Sequence, residues 1–140
     1  MVRIEVFNCQ DRIDFSEGLR VRLEGVLNAV AGCLGGGGEV LDGLAELEVT
    51  LLDDEEMGRI HGEFLDDERP TDVITFEHGE IFLGMETARR QAEEFGNGFE
   101  RELTLYGIHG LLHLSGYNDV ELEGRLRMEK RQEELLEEFF

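Results

Sequence analysis

Cysteine is scarce in this chain of 140 residues: Cys9 and Cys33 are the only two. Two thiols cannot build a disulfide framework, and neither stands in a Cys-x-x-Cys pair, so both read as free thiols with no redox or metal role. Basic residues are also few, 13 Lys and Arg against 33 Asp and Glu, for a formal net charge of −20. Nucleic-acid binders draw much of their affinity from Lys and Arg, so any RNA reading must answer for this balance. The plain reading is an acidic surface that keeps the chain soluble. No apolar run approaches the roughly 20 residues that span a bilayer, which excludes a membrane anchor. The opening MVRIEVFNCQ has neither the long apolar region nor the small-residue cleavage site of a secretory signal, so a cytoplasmic protein is expected.

What is present suits a globular protein: 41% hydrophobic and 33% charged residues, in a chain of a length expected to fold as one domain, 1–140. Residues 2–8 alternate Val2, Ile4 and Val6 with Arg3, Glu5 and Phe7, the period of a strand with one buried face. Ser16 is a plausible N-cap for a helix through Leu34, whose Leu19, Leu23, Val26, Leu27 and Val30 form one stripe. The four glycines at 35–38 end it in a flexible loop. AELEVTLLD at 45–53 alternates again, and DDEEMGRIHGEFL opens a short helix with acids in its first turn. The lone proline, Pro70, precedes TDVITF, a β-rich run that pairs with GEIFLG across a turn. Helices follow over 85–95 and 99–114, separated by Asn97-Gly98, and an amphipathic helix around Leu122, Leu126, Leu135 and Leu136 closes the chain. Strands early and helices late, without sustained βαβ alternation, predict an α+β fold: a small mixed β-sheet packed with helices.

The chemistry concentrates in HGLLHLSGYND, residues 109–119. On a helix, His109 and His113 project from nearly one face, so both imidazoles can reach one cation at about 2.0–2.1 Å. Gly116 can adopt the left-handed conformation that reverses the chain and returns Asp119 to the histidine face as a third ligand. The spacing matches the metzincin pattern, but Gly110 stands where the protease's general-base glutamate belongs, which removes the obvious route to peptide hydrolysis.

Four segments, PTDVITF (70–76), GEIFLG (79–84), ETARRQAEEFG (86–96) and RELTLYGIHGLLHLSGYND (101–119), together resemble the YbeY family of bacterial rRNA-maturation endoribonucleases. The resemblance implies an α+β fold with the metal site on a central helix and the following turn, holding one Zn2+. It also implies cleavage of single-stranded RNA in maturation of the 3′ end of small-subunit rRNA and in ribosome quality control. The small ribosomal subunit and ribosome-assembly proteins would be its partners. Carried onto this chain, His109, His113 and Asp119 are the metal ligands, and His109, His113, Thr71 and Asp72 are the candidate catalytic residues, the last two because the family's cleft is lined by that segment. A local capping role would suit Thr71 and Asp72 equally well.

This chain departs from the family pattern at four places. Asp119 replaces a third histidine, Leu65 an arginine, His61 an asparagine and Glu80 an aspartate. Two histidines and a carboxylate are a workable zinc set. The anionic ligand lowers the charge of the site by one unit against three imidazoles, which predicts a less activated water and a site more open to harder ions such as manganese. Leu65 cannot hold a phosphate, and Arg59 and Arg69 are the nearest substitutes in sequence. His61 and His78 read as surface residues, and Arg89, Arg90 and Arg101 as members of exposed ion pairs. Two further readings stay open: a non-catalytic, metal-clipped ribosome-assembly binding module, favoured by Leu65 and the net charge, and a metal-dependent hydrolase of another small or peptide substrate.

Overall fold

The alternating run at the start of the chain forms β1 (Arg3–Asn8), and a computed structural model describes residues 2–34, 40–65 and 71–140. The glycine run at 35–38, Arg69 and Pro70 lie outside the described residues. After β1 come α1 (Glu17–Leu34), β2 (Glu46–Leu52), α2 (Asp54–Leu65), β3 (Val73–Phe76), β4 (Glu80–Gly84), α3 (Met85–Phe95), α4 (Phe99–Leu114) and α5 (Leu122–Phe139), with a short 3-10 turn at Val40–Gly43. The four strands form one sheet in the order β1-β2-β4-β3. β1 runs parallel to β2, with Val6 opposite Val49, and β2 runs parallel to β4, with Val49 opposite Ile81. β3 pairs antiparallel with β4, Thr75 facing Ile81. The fold is α+β with a mixed sheet, as expected. The passage from β1 through α1 to the parallel β2 is nonetheless a βαβ unit, where the sequence shows no sustained alternation of that kind. Pairing direction is a non-local choice that strand periodicity does not carry.

α1 starts where Ser16 Oγ accepts the Leu19 N–H at 3.1 Å, the capping bond predicted for that serine. Leu23, Val26, Leu27 and Val30 are buried, while Leu19 is half-buried at the fringe of the stripe. Two polar residues of α1 occupy the backbone of β1: Asn28 accepts from Ile4 N–H and donates to the Ile4 carbonyl, and Glu24 accepts from Val6 N–H. One sheet edge is thereby covered. β3, the other edge, borders the groove described below.

α4 is the central element, touching β3, β4, α1, α3 and α5. Leu103, Tyr106, Ile108, Leu111, Leu112 and Leu114 are all buried, each apolar side chain contributing about 1.5–3 kcal/mol by leaving water. Contact this close needs small residues: a Cβ at Gly107 would lie 2.8 Å from Leu27 Cδ2, and one at Gly110 would lie 2.9 Å from Ile81 Cδ1. The position that lacks a glutamate is therefore turned onto the sheet. α3 ends at Gly96, whose φ of 71° is left-handed, and α4 begins from Gly98, as the Asn97-Gly98 break leads one to expect.

α5 departs from its predicted stripe. Met128, Leu135 and Leu136 are buried, whereas Leu122 and Leu126 are 62% and 54% exposed. The helix packs on its apolar residues only from Met128 onward, because its first turn overhangs the turn that follows α4.

Candidate metal centre and adjoining groove

His109 and His113 lie one turn apart near the end of α4, and their Nε2 atoms are 3.0 Å from each other. The chain then reverses: Gly116 has φ 97°, and Tyr117 N–H returns to the Leu112 carbonyl at 3.0 Å. This reversal brings Asp119 Oδ2 to 3.8 Å from His109 Nε2 and 3.7 Å from His113 Nε2. Ligand atoms about 2.0–2.2 Å from a tetrahedral zinc stand roughly 3.3 Å from one another, so the group is close to the size of a coordination sphere. His109 and His113 are about one-third exposed, and Asp119 somewhat more. An ion held there would remain accessible from solvent.

The donor atoms themselves argue for a cation. Gln132 Oε1, on α5, accepts from His109 Nδ1–H, which fixes the tautomer and leaves Nε2 with a free lone pair. His113 Nε2 faces His109 and Asp119, so with its proton on Nδ1 this ring turns a second lone pair toward the same point. Two lone pairs and a carboxylate oxygen converge on one point, an arrangement that is repulsive until a positive charge joins it. Burial, followed by the neighbouring His109, holds the His113 pKa below the ordinary histidine value despite the opposing pull of Asp119. That favours the neutral ring a metal requires. The residues present fit a zinc-class ion.

Two local features hold Asp119 in place. Asn118 Oδ1 accepts the Val120 N–H at 2.7 Å, an Asx turn that straddles Asp119. Gly124 in the first turn of α5 lies so near the Asn118 carbonyl that a Cβ there would be 2.3 Å from its oxygen. Neither Gln132 nor Gly124 is identifiable from motif spacing, since both reach the site through the packing of α5.

Beside the histidines a groove of about 440 Å³ runs along β3, lined by Asp72, the strand itself, Glu77, His109, His113 and Leu114. Asp72 stands in this wall, its Oδ1 accepting from Val73 N–H at 2.8 Å. Thr71 is not among the lining residues. Its hydroxyl donates to Asp72 Oδ1 at 3.4 Å, and its carbonyl packs against Gly84. Of the two, Asp72 reaches the groove and Thr71 supports it from behind.

Other residues singled out by sequence lie elsewhere. Glu80 pairs with His78, which stacks on Phe76, on the sheet face away from α4. Arg59 lines that same far side and is bound by Glu56 and Glu63. His61 is half-buried on α2, not a surface residue, and is outside the ligand group. Arg90 and Arg101 form ion pairs as expected, though with Asp54 and Glu133 on other helices rather than with their sequence neighbours, whereas Arg89 is exposed with no carboxylate in ion-pair range among the described residues. Cys9 and Cys33 are free and exposed.

Comparison with known proteins agrees with this architecture. Residues 5–140 match the family described as Endoribonuclease YbeY. The endoribonuclease YbeY proteins of Bacillus thuringiensis (strain Al Hakam) and Bacillus cereus (strain AH187) are each 32% identical over 148 residues, covering 92% of this chain and 94% of theirs. The solution structure of TM1509 from Thermotoga maritima superposes with a TM-score of 0.69 at 29% identity, covering 97% of this chain and 88% of that one. With the family match running through both the groove and the ligand turn, this chain belongs to the endoribonuclease YbeY family.

Proposed function

We propose that this chain is a metal-dependent endoribonuclease of rRNA maturation and ribosome quality control, cutting single-stranded RNA, including the 3′ end of small-subunit rRNA. In this reading residues 1–140 act as one cytoplasmic domain with the small ribosomal subunit and assembly proteins as partners. The observation that carries it is the convergence of His109, His113 and Asp119 at the side of an open groove on a sheet edge. A groove bounded by a strand edge admits one extended chain and offers it backbone donors and acceptors, a setting that suits an unpaired strand better than a duplex.

His109, His113 and Asp119 would hold one Zn2+ per chain. Such an ion supplies Lewis acidity, polarising a phosphoryl oxygen and making water nucleophilic near neutral pH. Gln132 keeps the His109 ring in the tautomer that presents Nε2. Asp72 has Oδ2 left over from its bonds to Val73 and Thr71, and we assign that oxygen to accept a hydrogen bond from the attacking water or a ribose hydroxyl. Thr71 then has a positioning role. Purified protein is expected to cut a single-stranded rRNA fragment in a chelator-sensitive way, and His113→Ala is expected to abolish the cut. Undiminished cleavage by that variant would refute the assignment.

The second reading, a metal-clipped binding module without nuclease activity, draws on the net charge of −20 and on Leu65. A basic ribosomal protein would meet such a surface favourably. Stoichiometric metal and ribosome binding without any cleavage would decide in its favour.

A further inference from the structure

We infer that Arg125 of α5 is the phosphate-binding group of this site, contacting a non-bridging oxygen of the RNA strand beside the metal ligands; this rests on the RNA-directed reading above. Arg125, His109, Asp119, Met128, Glu129 and Gln132 line one small cavity of about 170 Å³ on the α5 side of the histidines. Arg125 precedes Gln132 by two helical turns, so the two side chains leave α5 in nearly the same direction. Gln132 is the residue that holds His109.

The charge pattern narrows the choice: among the described residues Arg89, Arg125 and Arg127 are the arginines without a carboxylate partner, and of these Arg125 alone lines the cavity beside His109, Arg89 being exposed on α3. Eight arginines pair with carboxylates: Arg3, Arg12, Arg20, Arg22, Arg59, Arg90, Arg101 and Arg131. Among the described residues Arg125 has no carboxylate within ion-pair distance, although the chain has 33 acidic residues to offer. Glu129 shares the cavity one turn further along, yet Arg preceding Glu at that spacing is the less favourable order, and the two remain apart. Arg127 lines a separate cavity behind the Gly116–Asn118 turn. Of the two substitutes in sequence for the guanidinium missing at Leu65, Arg59 is neutralised on the far side of the sheet and Arg69 lies outside the described residues.

The groove on the other side of the histidines reinforces the assignment. Its lining includes Asp72 and Glu77 and no Lys or Arg, so it repels phosphates and suits bases and ribose hydroxyls. A strand seated with its bases toward β3 turns its phosphates toward α5. There Arg125 offers a planar pair of N–H donors to phosphate oxygens.

The test compares wild type, Arg125→Gln, Arg125→Lys and Lys130→Gln for binding and cleavage of a labelled single-stranded oligoribonucleotide, with zinc content measured on each. Lys130 is exposed on another face of the same helix and loses the same charge on substitution. The expected result is a roughly tenfold loss of RNA affinity in Arg125→Gln, a salt dependence flatter by about one released ion, and partial recovery in Arg125→Lys, all with zinc unchanged. Equal behaviour of Arg125→Gln and Lys130→Gln overturns the assignment. Loss of zinc in Arg125→Gln also overturns it, because the arginine would then be acting through Asp119. A wild type that holds zinc yet neither binds nor cuts RNA refutes the RNA-directed reading itself, and the assignment with it.

Discussion

At His109 the two ring nitrogens divide their duties: Nδ1–H is held by Gln132 and Nε2 faces His113 and Asp119. Removing the outer partner frees the tautomer, so Gln132→Ala is expected to weaken zinc binding by about 10–100-fold while leaving the fold intact; a zinc titration against a competing chelator reads this directly. Gly110 carries the opposite kind of constraint. A Cβ there would meet Ile81 Cδ1 at 2.9 Å and Cγ2 at 3.1 Å, and overpacking of this kind costs about 1–3 kcal/mol, partly offset by alanine's better helix propensity. Gly110→Ala is therefore predicted to lower the denaturant midpoint, and Gly110→Glu to do so more strongly without creating a protease. The convergence of His109, His113 and Asp119 was legible from sequence because the three share one helix and one turn, where spacing alone dictates geometry. Gln132 and Arg125 were not legible, since nothing local to α4 says which face of α5 will pack against it.

The helices and strands themselves were legible for the same reason. β1 and β2 announce themselves by period-two burial, α1 by its Ser16 cap and buried stripe, and α3 by the Asn97-Gly98 break that follows it. The parallel pairing of β1 with β2 and the exposure of Leu122 and Leu126 were not, because both depend on what the rest of the chain places beside them. The junction of α4 and α5 is the element that positions Asp119 against His109 and His113. Gly124 leaves no room for a side chain beneath the Asn118 carbonyl, 2.3 Å from where a Cβ would sit. Alanine should favour the helix by roughly 1 kcal/mol, so a merely structural outlook would expect gain. Gly124→Ala is instead expected to shift the turn carrying Asp119 and to lose zinc, with circular dichroism showing helix content retained.

Across the whole molecule, 33 acidic residues face 13 basic ones. Self-repulsion of that size opposes the compact state and is screened as ionic strength rises, the Debye length falling from about 30 Å at 0.01 M to about 8 Å at 0.15 M. The melting temperature should therefore climb with added sodium chloride over this range; a flat or falling trend would mean that the acids are locally compensated. The same field keeps polyanions away from most of the surface, and under the proposed function it would confine RNA to the one region where a cation held by His109, His113 and Asp119 would stand beside Arg125. That confinement depends on the metal. The most direct test is elemental analysis of untagged wild-type protein beside Asp119→Ala, after zinc has been supplied to both. About one zinc per chain in the wild type and a clear loss in the variant is the predicted result. A wild type without metal, or a variant that retains it fully, would contradict the His109–His113–Asp119 centre on which the account is built.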